Sequence, residues 1–309
     1  MDAPLVSVII PNYNHAPFLP ERIESVLGQT YEPIEIIFLD DCSSDNSREV
    51  IERYRSNTKI SAIVFNEQNS GTTFKQWKKG IELARGEWIW IAESDDWCEP
   101  TLLATLMAGA NDNRVISFCQ TLMVQEGGRV LWKTNSALFE NELAGGEFIT
   151  QQMLVGNGIP NASMCVFRKE CYFKLTNEFL DYKFCGDWLF WILIARQGNV
   201  FISGKYLNYF RKHGKDVSGK ATLNGLIYSE YIKLLVTLTS KEIITLEESR
   251  GLAIVRLKEL LNDTAVLSEA KEKLIHDYLR NVGQRLFSAS AYAKLGKRVY
   301  LKALLKKYL

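Results

Sequence analysis

The sequence predicts an α/β protein in which a mainly parallel central sheet is flanked by helices, with a helical C-terminal region. Short apolar runs alternate with helical patterns through the first half of the 309-residue chain, and this alternation is typical of parallel sheets. Continuous apolar runs such as VSVII and IEIIFL indicate strands buried on both faces. After Gly219 almost all of the sequence has helical spacing. We therefore expect one α/β domain over residues 1–220 and a helical region over residues 221–309.

The elements of the α/β domain follow from the spacing of apolar residues. Five strands are expected at Val6–Pro11, Ile34–Asp40, Ile60–Phe65, Trp88–Ala92 and Val115–Gln120. Helices are expected between them at FLPERIESVLGQ, DNSREVIERYRS and FKQWKKGIELARGE. The last of these reaches Gly86, where we expect a helix C-cap. A hairpin at VQEGGRV, a helix at GDWLFWILIARQG and a strand at NVFISGKYLNYFR complete the domain.

Composition and charge exclude several classes of protein. A content of 47% hydrophobic and 24% charged residues is that of a globular chain, and a net charge of +1 argues against electrostatic binding of nucleic acid. The six cysteines form no CxxC pair, so we expect them to be reduced and structural. Because neither a leader pattern nor an apolar run of about 18 residues is present, we expect a cytoplasmic, soluble protein.

Three polar clusters follow predicted strands at the points where the strands end. They are PNYN (Pro11 to Asn14), DDCSSDN (Asp40 to Asn46) and ESDD (Glu93 to Asp96). The carboxyl ends of parallel strands meet at one edge of a sheet, and ligands of open α/β sheets bind outside that edge. We therefore expect the three clusters to line one crevice.

Each acidic cluster has a structural and a functional interpretation. In DDCSSDN, Ser44 or Asp45 can cap the next helix, whereas Asp40 and Asp41 precede the cap. An acid at Asp41 can accept the N3 proton of a uracil or thymine ring. ESDD is either a solvated loop or a divalent metal site, since neighbouring carboxylates repel one another unless a cation lies between them. On an exposed loop, Asp96→Ala would remove a metal ligand without loss of core volume.

A longer stretch of the chain carries a resemblance to a known family. VSVIIPNYNHAPFLPERIESVLGQTYEPIEIIFLDDCSSDNSREVIERY, followed by NSGTTFKQWKKGIELARGEWIWIAESDDW, resembles the inverting family 2 glycosyltransferases over residues 1–220. The resemblance implies the GT-A fold and transfer of a sugar from a nucleotide-diphosphate donor, a UDP-sugar or dTDP-sugar, to a saccharide or lipid-linked hydroxyl. It also implies Mn²⁺ or Mg²⁺ on the diphosphate, and the synthesis of a bacterial polysaccharide or glycolipid.

The resemblance places the donor and the metal on particular residues. The positions that hold the nucleoside in similar enzymes are matched by Pro11, Tyr13, Asn14 and Asp41. Asp95 and Asp96 match positions that contact the ribose and the metal-bound diphosphate, so both are expected metal ligands. Glu93 stands where the family has the first Asp of its DxD motif and is a further candidate ligand.

The resemblance also identifies a candidate base. CGDWLFW is similar to the family segment that carries the catalytic base, which places that role on Asp187. In an inverting transfer, one carboxylate takes the proton of the acceptor hydroxyl as it attacks the anomeric carbon. The structural alternative is that Asp187 caps the apolar helix after it. Asn161 in the loop GNGIPNAS and Trp188 are candidate acceptor contacts.

The cluster YFRKHGKDVS resembles a segment that closes over the donor. Arg211 is expected to bind phosphate, and His213 to complete the metal site. His15 has no companion ligand in the sequence and is interpreted as a surface or packing residue.

Two other functions fit parts of the pattern. A nucleotidyltransferase also combines a nucleotide site with acidic metal ligands, but it would carry a glycine-rich phosphate loop after the first strand, and PNYNHAPF has no glycine. A non-catalytic nucleotide-sugar-binding or scaffold protein would not need an acid at Asp187.

The C-terminal sequence LGKRVYLKALLKKYL predicts a basic amphipathic helix. Its apolar stripe consists of Leu301, Leu304, Leu305 and Tyr308. Such a helix either packs on the helical region before it or lies on anionic lipid, which would give peripheral contact with the inner membrane surface.

Overall fold

The structure is a computed structural model, and it describes residues 3–125, 127–213 and 225–264 together with 266, 271, 273 and 274. The chain forms two compact units, Met1–Gly214 and Lys215–Leu309. The predicted domain boundary at residue 220 and the predicted basic C-terminal helix lie outside the described residues.

One sheet forms the centre of the first unit. Its ten strands in the described chain are β1 Val6–Asn12, β2 Ile34–Asp40, β3 Ile60–Phe65, β4 Trp88–Ile91, β5 Trp97–Cys98, β6 Arg114–Gln125, β7 Val130–Lys133, β8 Asn141–Ala144, β9 Cys165–Arg168 and β10 Asn199–Lys212. Along the sheet the order is β3-β2-β1-β4-β9-β6-β10-β5, with β7 beside β6 and β8 beside β10.

The direction of the strands gives the sheet two parts. Strands β1, β2, β3 and β4 pair in parallel, as do β6 and β10. Strand β9 runs antiparallel between β4 and β6, and β5, β7 and β8 also join antiparallel. The predicted α/β class and the hairpin between β6 and β7 are confirmed. The sheet is mixed because β9 enters between the two parallel parts.

Helices flank this sheet. In the first unit they are α1 Leu19–Leu27, α2 Ser47–Glu52, α3 Thr73–Leu83, α4 Leu102–Met107, α5 Gly145–Phe148, α6 Lys169–Phe173 and α7 Gly186–Ala195. Short helical turns also occur at Ile149–Met153, Ala162–Met164 and Asn177–Asp181. Helix α3 begins where the Thr72 hydroxyl accepts the Phe74 N–H at 3.0 Å, as expected of an N-cap threonine.

The predicted C-cap at Gly86 is wrong. Helix α3 ends at Leu83, and Ala84 is already extended. Gly86 lies against β1, where an added Cβ would stand 2.6 Å from the Leu5 carbonyl oxygen and 2.7 Å from the Ser7 hydroxyl. A side chain cannot fit at that distance, so close approach to β1, rather than helix termination, requires the glycine.

The core beneath the site is aromatic. Phe190 and Trp191 of α7 contact Trp77 of α3 and Phe167 of β9, with ring centroids 5.2 to 5.8 Å apart. Every residue of α7 except Asp187 is buried. A helix with apolar side chains on all faces must be covered on all faces, so α7 is fixed within the core.

In the second unit, two helices are described, α8 Leu226–Ser240 and α9 Leu246–Asn262. Helix α9 begins with a capping box in which Thr245 and Glu248 exchange hydrogen bonds. Among the described helices of the chain, none is long and apolar enough to cross a membrane.

Candidate active site

The three polar clusters lie together at the carboxyl ends of β1, β2 and β4, as the strand order predicts. Asn12 of the first cluster donates to Asp40 of the second at 2.7 Å. Next to the first cluster, His15 Nδ1 lies 2.9 Å from the hydroxyl of Ser94 in the third. These contacts join the first cluster and the residue after it to both acidic clusters, so the three form one continuous surface.

The turn after β1 offers one exposed aromatic ring. Tyr13 is 48% exposed, whereas Pro11 is buried within β1. Asn14 takes a positive φ of 57°, and its side-chain oxygen accepts the Ser44 N–H at 2.8 Å. Asn14 therefore fixes the loop after β2, and Tyr13 is the residue of this turn that can pack against a nucleobase.

Asp41 is buried and already has protein donors. Its carboxylate accepts from Asn66 at 2.7 Å, from Gln76 at 2.8 Å, and from the backbone and hydroxyl of Ser70 at 2.9 and 2.8 Å. An acid held by this many donors is fixed in orientation. A nucleobase that reaches Asp41 must therefore share or replace one of these donors.

The expectation that Asp96 lies on an exposed loop is wrong. Its side chain is fully buried and accepts from Asn161 at 2.8 Å and Ser163 at 2.7 Å, with the guanidinium of Arg22 at 3.8 Å. Burial, and next the charge of Asp95, raises the pKa of Asp96 to about 6, against the opposing charge of Arg22. Asp96 therefore anchors the loop to the core.

Glu93 is partly buried and is tied to α3. Its carboxylate accepts the Trp77 indole N–H at 2.9 Å. Withdrawal from water, followed by the negative charge of Asp95, raises the pKa of Glu93 to about 8, while the hydrogen bond from Trp77 acts in the opposite direction. One oxygen of Glu93 is thus already used by Trp77, and Glu93 does not belong to the group of possible metal ligands that is described below.

Glu93→Gln is expected to stabilise the protein increasingly as the pH rises. The pKa of Glu93 is about 8 in the folded protein, against an ordinary 4.5. Between these pH values the carboxyl therefore binds more protons in the folded state than in the unfolded state. Its contribution to the free energy of unfolding is fully present below pH 4.5 and is lost as the pH rises through 8. Glutamine keeps an acceptor for Trp77 and carries no charge. We expect the difference in unfolding free energy between variant and parent to grow by at least about 1 kcal/mol between pH 6 and pH 9.

Urea unfolding with a chelator present measures this difference. Glu67→Gln, which removes an exposed carboxylate, is the matched control and should follow the parent. The same pH slope for Glu93→Gln and the parent would contradict a raised pKa at Glu93.

Three residues in the described chain form a group that can hold a metal ion, namely His15, Asp95 and His213. One ligand atom from each lies within 4.8 Å of the others. His213 Nε2 lies 3.0 Å from Asp95 Oδ2. Although burial acts to raise the pKa of Asp95, the hydrogen bond from His213 and the charges of both histidines hold it below its ordinary value. Asp95 is therefore ionised, and Asp96 and Glu93 lie outside the group.

Arg211, the predicted phosphate ligand, braces the acidic loop. Its guanidinium carbon lies 4.3 Å from the centre of the Trp97 ring and 5.0 Å from that of Phe18. Its Nε donates to the Asp95 carbonyl oxygen at 2.8 Å, and another nitrogen contacts the Glu21 carboxylate. These contacts hold the Asp95 backbone and engage two of the three guanidinium nitrogens of Arg211.

Asp187, the candidate base, lies in the first turn of α7 beside the loop GNGIPNAS. Its Oδ2 accepts from Asn157 of that loop at 2.9 Å, and its Oδ1 accepts the Trp188 N–H at 2.7 Å. A carboxylate in this place satisfies the N-terminus of the helix, and it is also partly exposed. The N-cap residue of α7 is Cys185, so the interpretation of Asp187 as the cap is wrong, although its carboxylate still stabilises the first turn.

The candidate acceptor contacts Asn161 and Trp188 are buried, which corrects the expectation that they face an acceptor. The amide of Asn161 is used by Asp96 and by Asn208, which donates to it at 2.9 Å. The indole N–H of Trp188 donates to the Met153 carbonyl oxygen at 2.7 Å. Asn161 supports the acidic loop, and Trp188 connects α7 to the turn Ile149–Met153.

Sequence reasoning missed three residues of this site. His15 was interpreted as a packing residue, although it directly follows a strand-end cluster and the same edge rule applies to it. Nothing in the sequence marks Arg22 of α1 as buried, because an arginine in an amphipathic helix is usually exposed. Asn157 belongs to a loop considered only for the acceptor, yet it contacts Asp187.

Known proteins resemble this chain in sequence. A family model, Glycosyl transferase family 2, matches residues 7–175. Glycosyltransferase GlyG of Streptococcus pneumoniae serotype 4 is 38% identical over 102 residues, which cover 33% of this chain and 34% of GlyG. The putative teichuronic acid biosynthesis glycosyltransferase TuaG of Bacillus subtilis is 34% identical over 126 residues, 40% of this chain and 50% of TuaG. The chain thus aligns with a third to a half of these two relatives.

Solved structures resemble it in fold. S. aureus TarS 1-349 in complex with UDP-GlcNAc superposes with a TM-score of 0.69 at 18% identity, covering 96% of this chain and 88% of that one. The mannosyltransferase PcManGT from Pyrobaculum calidifontis, in complex with GDP-Man and Mn²⁺, has a TM-score of 0.54 at 13% identity, covering 99% and 87%. The fold is that of the GT-A glycosyltransferases, as the sequence resemblance implied.

Proposed function

We propose, because this chain belongs to glycosyl transferase family 2, that it transfers a sugar from a nucleotide-diphosphate donor to a hydroxyl of a saccharide or lipid-linked acceptor, with inversion at the anomeric carbon. One observation carries the proposal. An ionised carboxylate, Asp95, lies with His15 and His213 at the edge of the sheet where nucleotides bind, and the exposed Tyr13 is two residues before His15 in the same turn.

The donor would lie along this edge. The nucleobase packs on Tyr13, while the loop fixed by Asn14 and the buried acid Asp41 border the base and ribose. The diphosphate reaches the group of His15, Asp95 and His213, whose nitrogen and oxygen donors suit a divalent cation. Such an ion stabilises negative charge on the departing diphosphate. Asp96 and Glu93 support the loop from behind.

The acceptor would approach from the side of Asp187. In this role the Asp187 carboxylate takes the proton of the acceptor hydroxyl while its oxygen attacks the anomeric carbon. Asn157 donates to one carboxylate oxygen and the Trp188 N–H to the other, so the carboxylate is oriented before the acceptor arrives. Orientation in advance lowers the entropic cost of the reaction.

Among nucleotides, we expect UDP and dTDP to bind more tightly than GDP. An acid such as Asp41 accepts from the ring N3–H of uracil or thymine, whereas guanine presents a different pattern of donors and acceptors. Two TarS structures are complexes with UDP and with UDP-GlcNAc, which supports a uridine donor, whereas PcManGT is in complex with GDP-Man. The relation to TuaG supports a role in bacterial polysaccharide synthesis.

The test is a panel of UDP-, dTDP- and GDP-sugars with Mn²⁺ or Mg²⁺, in which melting temperature and release of nucleoside diphosphate are measured together. We expect UDP and dTDP compounds to raise the melting temperature more than GDP at equal concentration, and slow hydrolysis to release the diphosphate. With pyrophosphate added, conversion of the nucleotide-sugar to nucleoside triphosphate and sugar 1-phosphate would identify a nucleotidyltransferase. Nucleotide binding without any release of nucleoside diphosphate, even with saccharide acceptors added, would indicate a binding protein. Preference for GDP would refute the assignment of uracil or thymine as the nucleobase.

A further inference from the structure

The turn between β1 and α1 positions His15 beside Asp95 and His213, the other two candidate metal ligands. The His15 carbonyl oxygen accepts the N–H groups of Phe18 at 2.9 Å and Leu19 at 3.1 Å, which ties the residue to the start of α1. On the side-chain face, the buried hydroxyl of Ser94 lies 2.9 Å from Nδ1. A hydrogen bond to one ring nitrogen orients most histidines that bind metals through the other.

The two histidine rings share one support. The ring of Phe18 lies 6.0 Å from that of His15 and 5.0 Å from that of His213. The two imidazoles are 5.4 Å apart at an interplanar angle of 82°, so they meet edge to face rather than stack. This arrangement lets nitrogen atoms from two distant parts of the chain approach Asp95 together.

The donor set has a chemical consequence. Two of the three candidate ligands are imidazole nitrogens, and one is a carboxylate oxygen. Mg²⁺ strongly prefers oxygen ligands and keeps several waters, whereas Fe²⁺, Co²⁺ and Zn²⁺ are well matched by imidazole. A second carboxylate ligand would favour Mg²⁺, but the neighbouring acid Asp96 is buried and accepts hydrogen bonds from Asn161 and Ser163.

We propose that His15 is a ligand of the divalent ion, so that the site consists of two histidines and one carboxylate and takes a first-row transition-metal ion in preference to Mg²⁺. The proposal deepens the proposed function, since it concerns the ion that would hold the donor diphosphate. The ion is bound by this chain's own residues before any nucleotide arrives, and binding can therefore be measured with the metal alone.

The experiment titrates the full-length protein, stripped with a chelator, with Co²⁺ and separately with Mg²⁺, using calorimetry and the visible absorption of bound Co²⁺. The parent should bind Co²⁺ at least about 10²-fold more tightly than Mg²⁺. His15→Ala should lose about 10-fold or more in Co²⁺ affinity and change the Co²⁺ spectrum, with little change for Mg²⁺. In Glu67→Gln, which changes an exposed carboxylate outside the site, both affinities should be retained.

A second variant separates ligation from packing. His15→Glu replaces nitrogen by oxygen at similar reach, so the ratio of Co²⁺ to Mg²⁺ affinity should fall although the site still binds metal. Melting curves in chelator show that each variant is folded. Equal Co²⁺ affinity and an unchanged spectrum in folded His15→Ala would overturn the proposal. No nucleotide is present, so this outcome is independent of whether the protein transfers sugar.

Discussion

Asp187→Asn is expected to lower the rate of sugar release by about 10²-fold or more while donor affinity is largely retained. Asparagine has nearly the same shape, and its side-chain oxygen can still accept the Trp188 N–H that now binds Asp187. It cannot take a proton from an attacking hydroxyl or water. Donor hydrolysis, in which water replaces the acceptor, and calorimetric donor binding measure the two quantities separately.

The matched control is Asp181→Asn, an exposed acid that precedes α7 and makes the same chemical change outside the site. It should hydrolyse the donor at the parental rate. If the Asp187→Asn variant also hydrolyses the donor at the parental rate and only its melting temperature falls, then Asp187 stabilises the first turn of α7 and the catalytic base lies elsewhere.

Asp96→Ala is expected to destabilise the protein by about 3–5 kcal/mol, a large fraction of the stability of a typical domain. The substitution removes the acceptor for Asn161, for Ser163 and for the Arg211 N–H at 3.1 Å. It also leaves the buried guanidinium of Arg22 without the charge that lies 3.8 Å away. Urea unfolding in the presence of a chelator measures the loss without a contribution from bound metal.

Asp95→Ala is the control for this prediction, because it removes the neighbouring acid of the same loop. Asp95 faces His213 and His15 rather than the core, so its loss should cost only about 1 kcal/mol. Metal binding should respond in the opposite order, with the larger effect at Asp95. Equal unfolding free energies for the two variants would show that Asp96 does not anchor the loop.

Local sequence patterns predict the elements of this fold better than their pairing. Strands β1, β2 and β4 are buried on both faces and are largely apolar, whereas the edge strand β3 is partly exposed. Helix α7 is recognisable as an apolar helix. The position of β9 between β4 and β6 depends on residues some 50 to 80 positions away, which no local pattern contains. For the same reason the two-residue strand β5 escapes prediction.

The same limit applies to the acidic loop. The sequence indicates that ESDD ends a buried strand, but it does not indicate which carboxylate points inward. That direction is set by Arg22 on α1 and by Ser163, 67 residues farther along the chain, both of which lie beside Asp96. The strand-end rule correctly places the cluster, and only tertiary contacts distinguish Asp95 from its neighbour.

The complete burial of α7 has an evolutionary consequence. Trp188 to Ala195 are enclosed by the core, so the backbone that carries Asp187 tolerates little displacement. The adjoining loop is less constrained, since Val155 is 73% exposed and Gly156 has open space around it. On the proposed function, substitutions at the exposed loop positions can therefore alter the choice of acceptor while the carboxylate of α7 keeps its position. Variants that change only Val155 and Gly156, and so keep the hydrogen bond from Asn157 to Asp187, would test this separation.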